Sequence, residues 1–155
     1  MEYQTKIGGK EIVHEMLDKL GLRYRDVEEG RIELYHPLVC DVTLFYEDVD
    51  KYDTLYVRYE MMLTDLIGDD FPSENVMLSN ICKAKFSSCQ YAGHYYAVIH
   101  DVLLPAYSPR RDEIFKRELN RLKEAERNVR HFLEANALHL VEQRYCELVS
   151  DILNV

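Results

Sequence analysis

Between Arg31 and Met61 the chain alternates apolar and polar residues in three successive runs. A period of two suits strands and no helix. In Arg31–His36, Ile32 and Leu34 take one side while Arg31, Glu33 and Tyr35 take the other, and Pro37 ends the run. In Val39–Tyr46, Cys40, Val42, Leu44 and Tyr46 share a face opposite Asp41, Thr43 and Phe45. In Thr54–Met61, Leu55, Val57, Tyr59 and Met61 oppose Thr54, Tyr56, Arg58 and Glu60. This pattern predicts an antiparallel sheet with one face buried, and the short connections favour hairpins over crossovers. Arg23–Glu28 adds a candidate edge strand, closed by the turn Glu28-Glu29-Gly30.

Helical periods flank these runs. Ile12, Val13, Met16, Leu17 and Leu20 form one apolar stripe, which predicts a helix from about Gly9 to Leu20 stopped by Gly21. Phe71-Pro72-Ser73 opens a second helix to about Lys85, with Val76, Met77, Ile81, Ala84 and Asn80 on its inner face. Asn80 is therefore expected to be a buried polar residue needing partners. Two strands follow, Ser87–Tyr91 and Tyr95–Leu103, joined through Ala92-Gly93-His94. The second is apolar on both faces, which predicts an interior strand covered on both sides. From Ser108 or Pro109 to about Asn136, Phe115, Leu119, Leu122, Ala125, Val129, Phe132 and Leu133 mark a long helix. The stripe restarts at Leu138, Val141, Tyr145, Leu148, Val149 and Ile152, predicting an added C-terminal helix over 138–153. The reading is one α+β domain over 1–155, in the order α-β-β-β-α-β-β-α plus that helix.

With 47% hydrophobic and 30% charged residues the chain can bury one core. No apolar run is long enough to span a bilayer, and residues 1–6 lack a signal-peptide layout, so the expected setting is the cytoplasm, away from membranes. There Cys40, Cys82, Cys89 and Cys146, with no Cys-x-x-Cys pair, are expected as free thiols. The net charge is −9. Residues 1–109 carry 10 Lys/Arg against 19 Asp/Glu, whereas residues 110–155 carry 9 of each. An acidic body repels a phosphate backbone, so no nucleic acid is expected as partner.

Catalytic signatures fail one by one. Gly8-Gly9-Lys10-Glu11 lacks the first glycine of a phosphate loop, and Glu11 stands where Ser or Thr would hold magnesium. His14-Glu15 has Asp18 in place of the second imidazole of a zinc helix. Glu47, Asp48, Asp50 and Asp53 lack the glycine and distal glutamate of a calcium loop and read as a solvated hairpin loop. His94 and His100 share a strand face too far apart for one metal, and His100, beside Val98 and Val102, reads as a hydrogen-bonded core or interface residue. No catalytic, cofactor or metal residue is assigned, and no enzyme is expected.

Twelve tyrosines and five phenylalanines supply the one positive compositional signal. Tyr35, Phe45 and Tyr56 fall on the otherwise polar sheet face, beside Arg58. Aromatics on a sheet surface commonly do no more than stabilise cross-strand pairs, and that is the more economical reading. As a contact surface they would offer apolar area with a polar handle.

Met16-Leu17-Asp18-Lys19-Leu20-Gly21-Leu22, Asn80-Ile81-Cys82-Lys83-Ala84-Lys85-Phe86, and Tyr95 to Pro105 followed by the long helix resemble the YbjN family. That family's fold is similar to that of type III secretion chaperones, and the resemblance covers about residues 10–136, carried mostly by element order. It implies a small, acidic, often dimeric bacterial protein without catalytic residues, regulatory or chaperone-like. The expected function is a non-catalytic module binding a protein or peptide, as a homodimer, with Tyr35, Phe45, Tyr56 and Arg58 as candidate contacts. The alternatives are an immunity or adaptor protein for one basic partner, and an enzyme with an unrecognised pocket.

Overall fold

The period-two runs pair as expected into one antiparallel sheet. The computed structural model describes residues 6–35, 38, 40–67, 75–90 and 94–153. The elements are α1 (Gly9–Lys19), β1 (Tyr24–Glu28), β2 (Arg31–Leu34), β3 (Val42–Tyr46), β4 (Thr54–Met62), α2 (Thr64–Ile67), α3 (Asn75–Cys82), β5 (Phe86–Gln90), β6 (His94–Pro105) and α4 (Arg111–Leu153). The six strands lie in the order β1-β2-β3-β4-β6-β5, all neighbours antiparallel. The α+β class and the order of elements agree with the sequence reading, and Tyr24–Glu28 takes the predicted edge position.

Alternation sorts the faces. Ile32, Leu34, Val42, Leu44, Tyr46, Leu55, Val57, Tyr59 and Met61 are all buried. They pack in one core with Ile12, Val13, Met16 and Leu17 of α1, Leu78 and Cys82 of α3, and Phe115, Leu119, Leu122 and Val129 of α4. Gly21 (φ 68°) ends α1: Leu22 N donates to Leu17 O (3.1 Å) and Gly21 N to Asp18 O (3.0 Å), a left-handed stop that glycine accommodates without a Cβ clash.

Three expectations need correction. Asn80 is exposed, because α3 turns Leu78 and Cys82, one helical turn apart, to the core and leaves Asn80 on the far side. The expected start of that helix at Phe71–Ser73 and the turn before His94 lie outside the described residues. The strand β6 is interior in sheet order, yet among its residues of described burial it is covered on both sides only near Ala97; Asp101 and Leu103 are exposed. The C-terminal segment is helical as expected, but as an unbroken continuation of α4, a helix of 43 residues. No helix among the described residues is long and apolar enough to cross a membrane.

Candidate functional site on the open sheet face

Cross-strand register decides which side chains meet. Arg31 stands opposite Phe45, Phe45 opposite Arg58, and Arg58 opposite Asp101, forming one row across β2, β3, β4 and β6. A parallel row runs through Glu33, Thr43, Glu60 and Ile99, and Tyr56 stands opposite Leu103. These are the members of the alternation that do not enter the core, on the face away from α1 and α4. Arg31 lies over the Phe45 ring, 5.8 Å from its centroid. Arg58 Nε donates to Asp101 Oδ1 at 2.7 Å, and Tyr56 Oη donates to the same oxygen at 2.6 Å. The Arg58 hydrogen bond, with Tyr56 and nearby Lys85 in support, holds the Asp101 carboxyl below its ordinary range against the opposing effect of burial.

Phe45, Tyr56 and Arg58 therefore come together, with Glu29, Gly30, Tyr46, Glu47 and Glu60, around a shallow hollow of about 420 Å³. Tyr35 does not join them. It is exposed beyond the end of β2, its N donating to Arg23 O at 2.9 Å, and it lines a separate depression with Glu33, Asp41 and Thr43. Leu103, 68% exposed beside Tyr56, belongs to the surface and was missed in the sequence. A signal was available: Asp101 shares its parity, and a carboxylate marks that side of the strand as the wet one.

Elsewhere, three of the acids in the rejected calcium loop have structural partners. Asp48 accepts from Gly9 N and Val49 N, both at 2.8 Å, and these two backbone donors hold its carboxyl below the usual range. A carboxylate from the β3–β4 loop thus sits at the N-terminus of α1, where the helix dipole favours negative charge. Asp50 accepts from Tyr52 N and Thr54 N, and Asp53 (φ 57°) pairs with Lys6 at 2.9 Å. Asp48, Asp50 and Asp53 are thus held by cap, turn and ion-pair contacts while Glu47 lines the hollow, and the described residues contain no group of three or more His, Cys, Asp or Glu able to hold a metal.

His100 is half-buried and hydrogen-bonded, as expected: its Nε2 meets the buried Glu118 carboxylate and its ring stacks on Tyr59. Burial pushes Glu118 up, but the His100 bond and the charges of Arg121 and Arg117 outweigh it and leave the carboxyl below its ordinary range. Tyr59 Oη donates to Phe115 O at 3.1 Å, and burial pushes this phenol well up. A cavity of about 180 Å³ lies beside His100, lined also by Cys82, Lys83, Arg121, Leu122, Glu124 and Asn128. Burial raises the Cys82 thiol to about 11, so it stays protonated at neutral pH and is a weak nucleophile. A wider hollow near Tyr107 holds Lys6, Lys19 and Arg111, whose charges meet Asp53, Asp112 and Glu15.

No family model, curated protein or solved structure matches this chain.

Proposed function

We propose that this chain is a non-catalytic, chaperone-like or regulatory module that holds a segment of another protein against its open sheet face, and that it acts in the cytoplasm as a homodimer. The observation that carries the reading is the group of Phe45, Tyr56 and Leu103 on the face opposite the helices, with Leu103 68% exposed. Phe45 and Tyr56 are diagonal neighbours, within reach of one bound side chain. The Arg58–Asp101 pair beside them neutralises itself and leaves a planar, weakly hydrated guanidinium that tolerates an apolar ligand. The resemblance of element order to the YbjN family and type III secretion chaperones supports the same reading.

An acidic adaptor for one basic partner is favoured by a second observation. Glu29, Glu47 and Glu60 ring the same hollow, in a chain of net charge −9. Affinity that falls steeply between low and physiological salt selects that version, and salt-insensitive affinity selects apolar holding.

The test is capture from the native cell with wild-type protein and with Leu103→Asp, followed by mass spectrometry. The expected result is a protein recovered by the wild type and lost with Leu103→Asp while the fold, monitored by circular dichroism, persists. Equal recovery by both proteins removes the sheet face from consideration.

A further inference from the structure

The helix α4 changes partner along its length. Its first part packs on the body through Phe115, Leu119, Leu122, Glu126 and Val129, all buried, and the half-buried Leu133. The spacing is four, three, four, three, four. After Leu133 every residue whose side chain is described is exposed except Val149, which is half-buried; Leu148, Ile152 and Leu153 are 62%, 71% and 77% exposed. Yet the sequence here is not that of a solvated helix. Leu138, Val141, Tyr145, Leu148 and Ile152 recur at spacings of three, four, three and four, the seam of a two-helix coil.

Five residues separate Leu133 from Leu138, and that gap carries the second stripe about 100° around the helix from the first. The body that covers the first stripe leaves the described members of the second, Leu148 and Ile152, exposed. The segment beyond Leu133 extends about 30 Å, and helices in proteins owe most of their stability to a packed apolar face. An exposed stripe of this kind calls for an occupant.

We propose that the occupant is a second copy of this chain, its C-terminal half of α4 laid antiparallel on the first. The pattern is complementary to itself in that direction. With Tyr145 level with Leu148 of the second copy, Val141 falls level with Ile152, and the twofold axis repeats both layers. In the same register Arg144 and Asp151 of the second copy flank the seam on one side, about 3 Å along the axis from level, and the twofold axis makes the pair twice. A parallel pair would instead set Arg144 against Val149 and lose that complementarity. Eight apolar side chains in these layers, at roughly 60–120 Å² each, bury about 700 Å², which the flanking residues bring toward the roughly 1,000 Å² of a specific interface.

This gives the homodimer of the proposed function its interface and does not depend on what the sheet face holds. Sedimentation equilibrium on the full chain should give a dimer at micromolar concentration. Leu148→Glu/Ile152→Glu should halve the mass with the thermal unfolding of the body retained, whereas Leu103→Asp should remain dimeric. Arg144→Asp should weaken association by about tenfold or more, because it sets like charges together, and Arg144→Asp/Asp151→Arg should restore it. A wild-type monomer throughout the micromolar range overturns the proposal, including one whose tail binds lipid vesicles or another protein. So does an unchanged dimer in the Leu148→Glu/Ile152→Glu variant. Failure of the charge swap to rescue overturns the antiparallel register.

Discussion

Glu118 is an acid placed where a sheet of apolar residues meets a helix, and its partners decide whether it stabilises or destabilises. Left alone, a buried carboxylate would take up a proton; here His100, Arg117 and Arg121 hold it charged. Its folded pKa lies below the ordinary value, so the stabilisation is present above the unfolded value of about 4.3 and is lost as pH falls through the folded one. Glu118→Gln should cost about 1.5–3 kcal/mol at neutral pH, the worth of charged hydrogen bonds. Urea titrations of both proteins from pH 7 to pH 3 should show the gap closing below about pH 4, since glutamine does not titrate. A gap that stays constant to pH 3 would mean that shape, not charge, makes the difference. The partners were not legible in the sequence. That His100 would be satisfied followed from its apolar neighbours on the strand, but Glu118 lies on a different element, one stretch of solvated charge among many.

At the scale of elements, alternation was legible and phase was not. The strands β2, β3 and β4 could be read because a one-residue slip would turn every apolar side chain to water. A short helix such as α3 offers one or two turns of pattern, too few to fix its phase, so Asn80 was placed on the wrong side. The continuity of α4 was legible in principle: no glycine or proline follows Pro109, and a restarted stripe rotates a helix's contacts without breaking its backbone. Of the candidate contacts, Phe45, Tyr56 and Arg58 converge because the β3–β4 hairpin is local, whereas Asp101 and Leu103 arrive through a pairing 43 to 47 residues away that no local pattern announces.

The junction of α1 with the β3–β4 loop gives this scale its prediction. A Cβ on Gly9 would meet Glu47 O at 2.9 Å and Asp48 Cα at 3.1 Å, both backbone atoms that cannot swing aside. Alanine's helix propensity would favour the change by about 0.8–1 kcal/mol in a helix interior, and by less at a first helical position. Overpacking costs about 1–3 kcal/mol, so the clash should win. Gly9→Ala should melt several degrees lower than wild type by circular dichroism; a higher melting temperature would mean that the loop moves freely away from the helix.

For the whole molecule, the proposed dimer divides α4 into a part that folds the domain and a part that would associate it. Among the residues of α4 whose side chains are described, the last fully buried one is Val129, with Phe132 and Leu133 packed partly against the same core. A chain ending at Ala135 therefore keeps every core residue described in α4 and loses the stripe assigned to the second copy. If the body folds by its own core, this shortened chain should unfold cooperatively with an enthalpy close to that of the full chain. Association adds a second signature by mass action: whatever binds only the folded state raises the melting temperature with concentration. The full chain should melt higher as its concentration rises, and the shortened one should melt at a fixed temperature. Calorimetry at several concentrations reads both quantities at once. A concentration-independent midpoint in the full chain would place the dimer elsewhere or nowhere. Loss of cooperative unfolding in the shortened chain would show instead that residues beyond Ala135 brace the core itself.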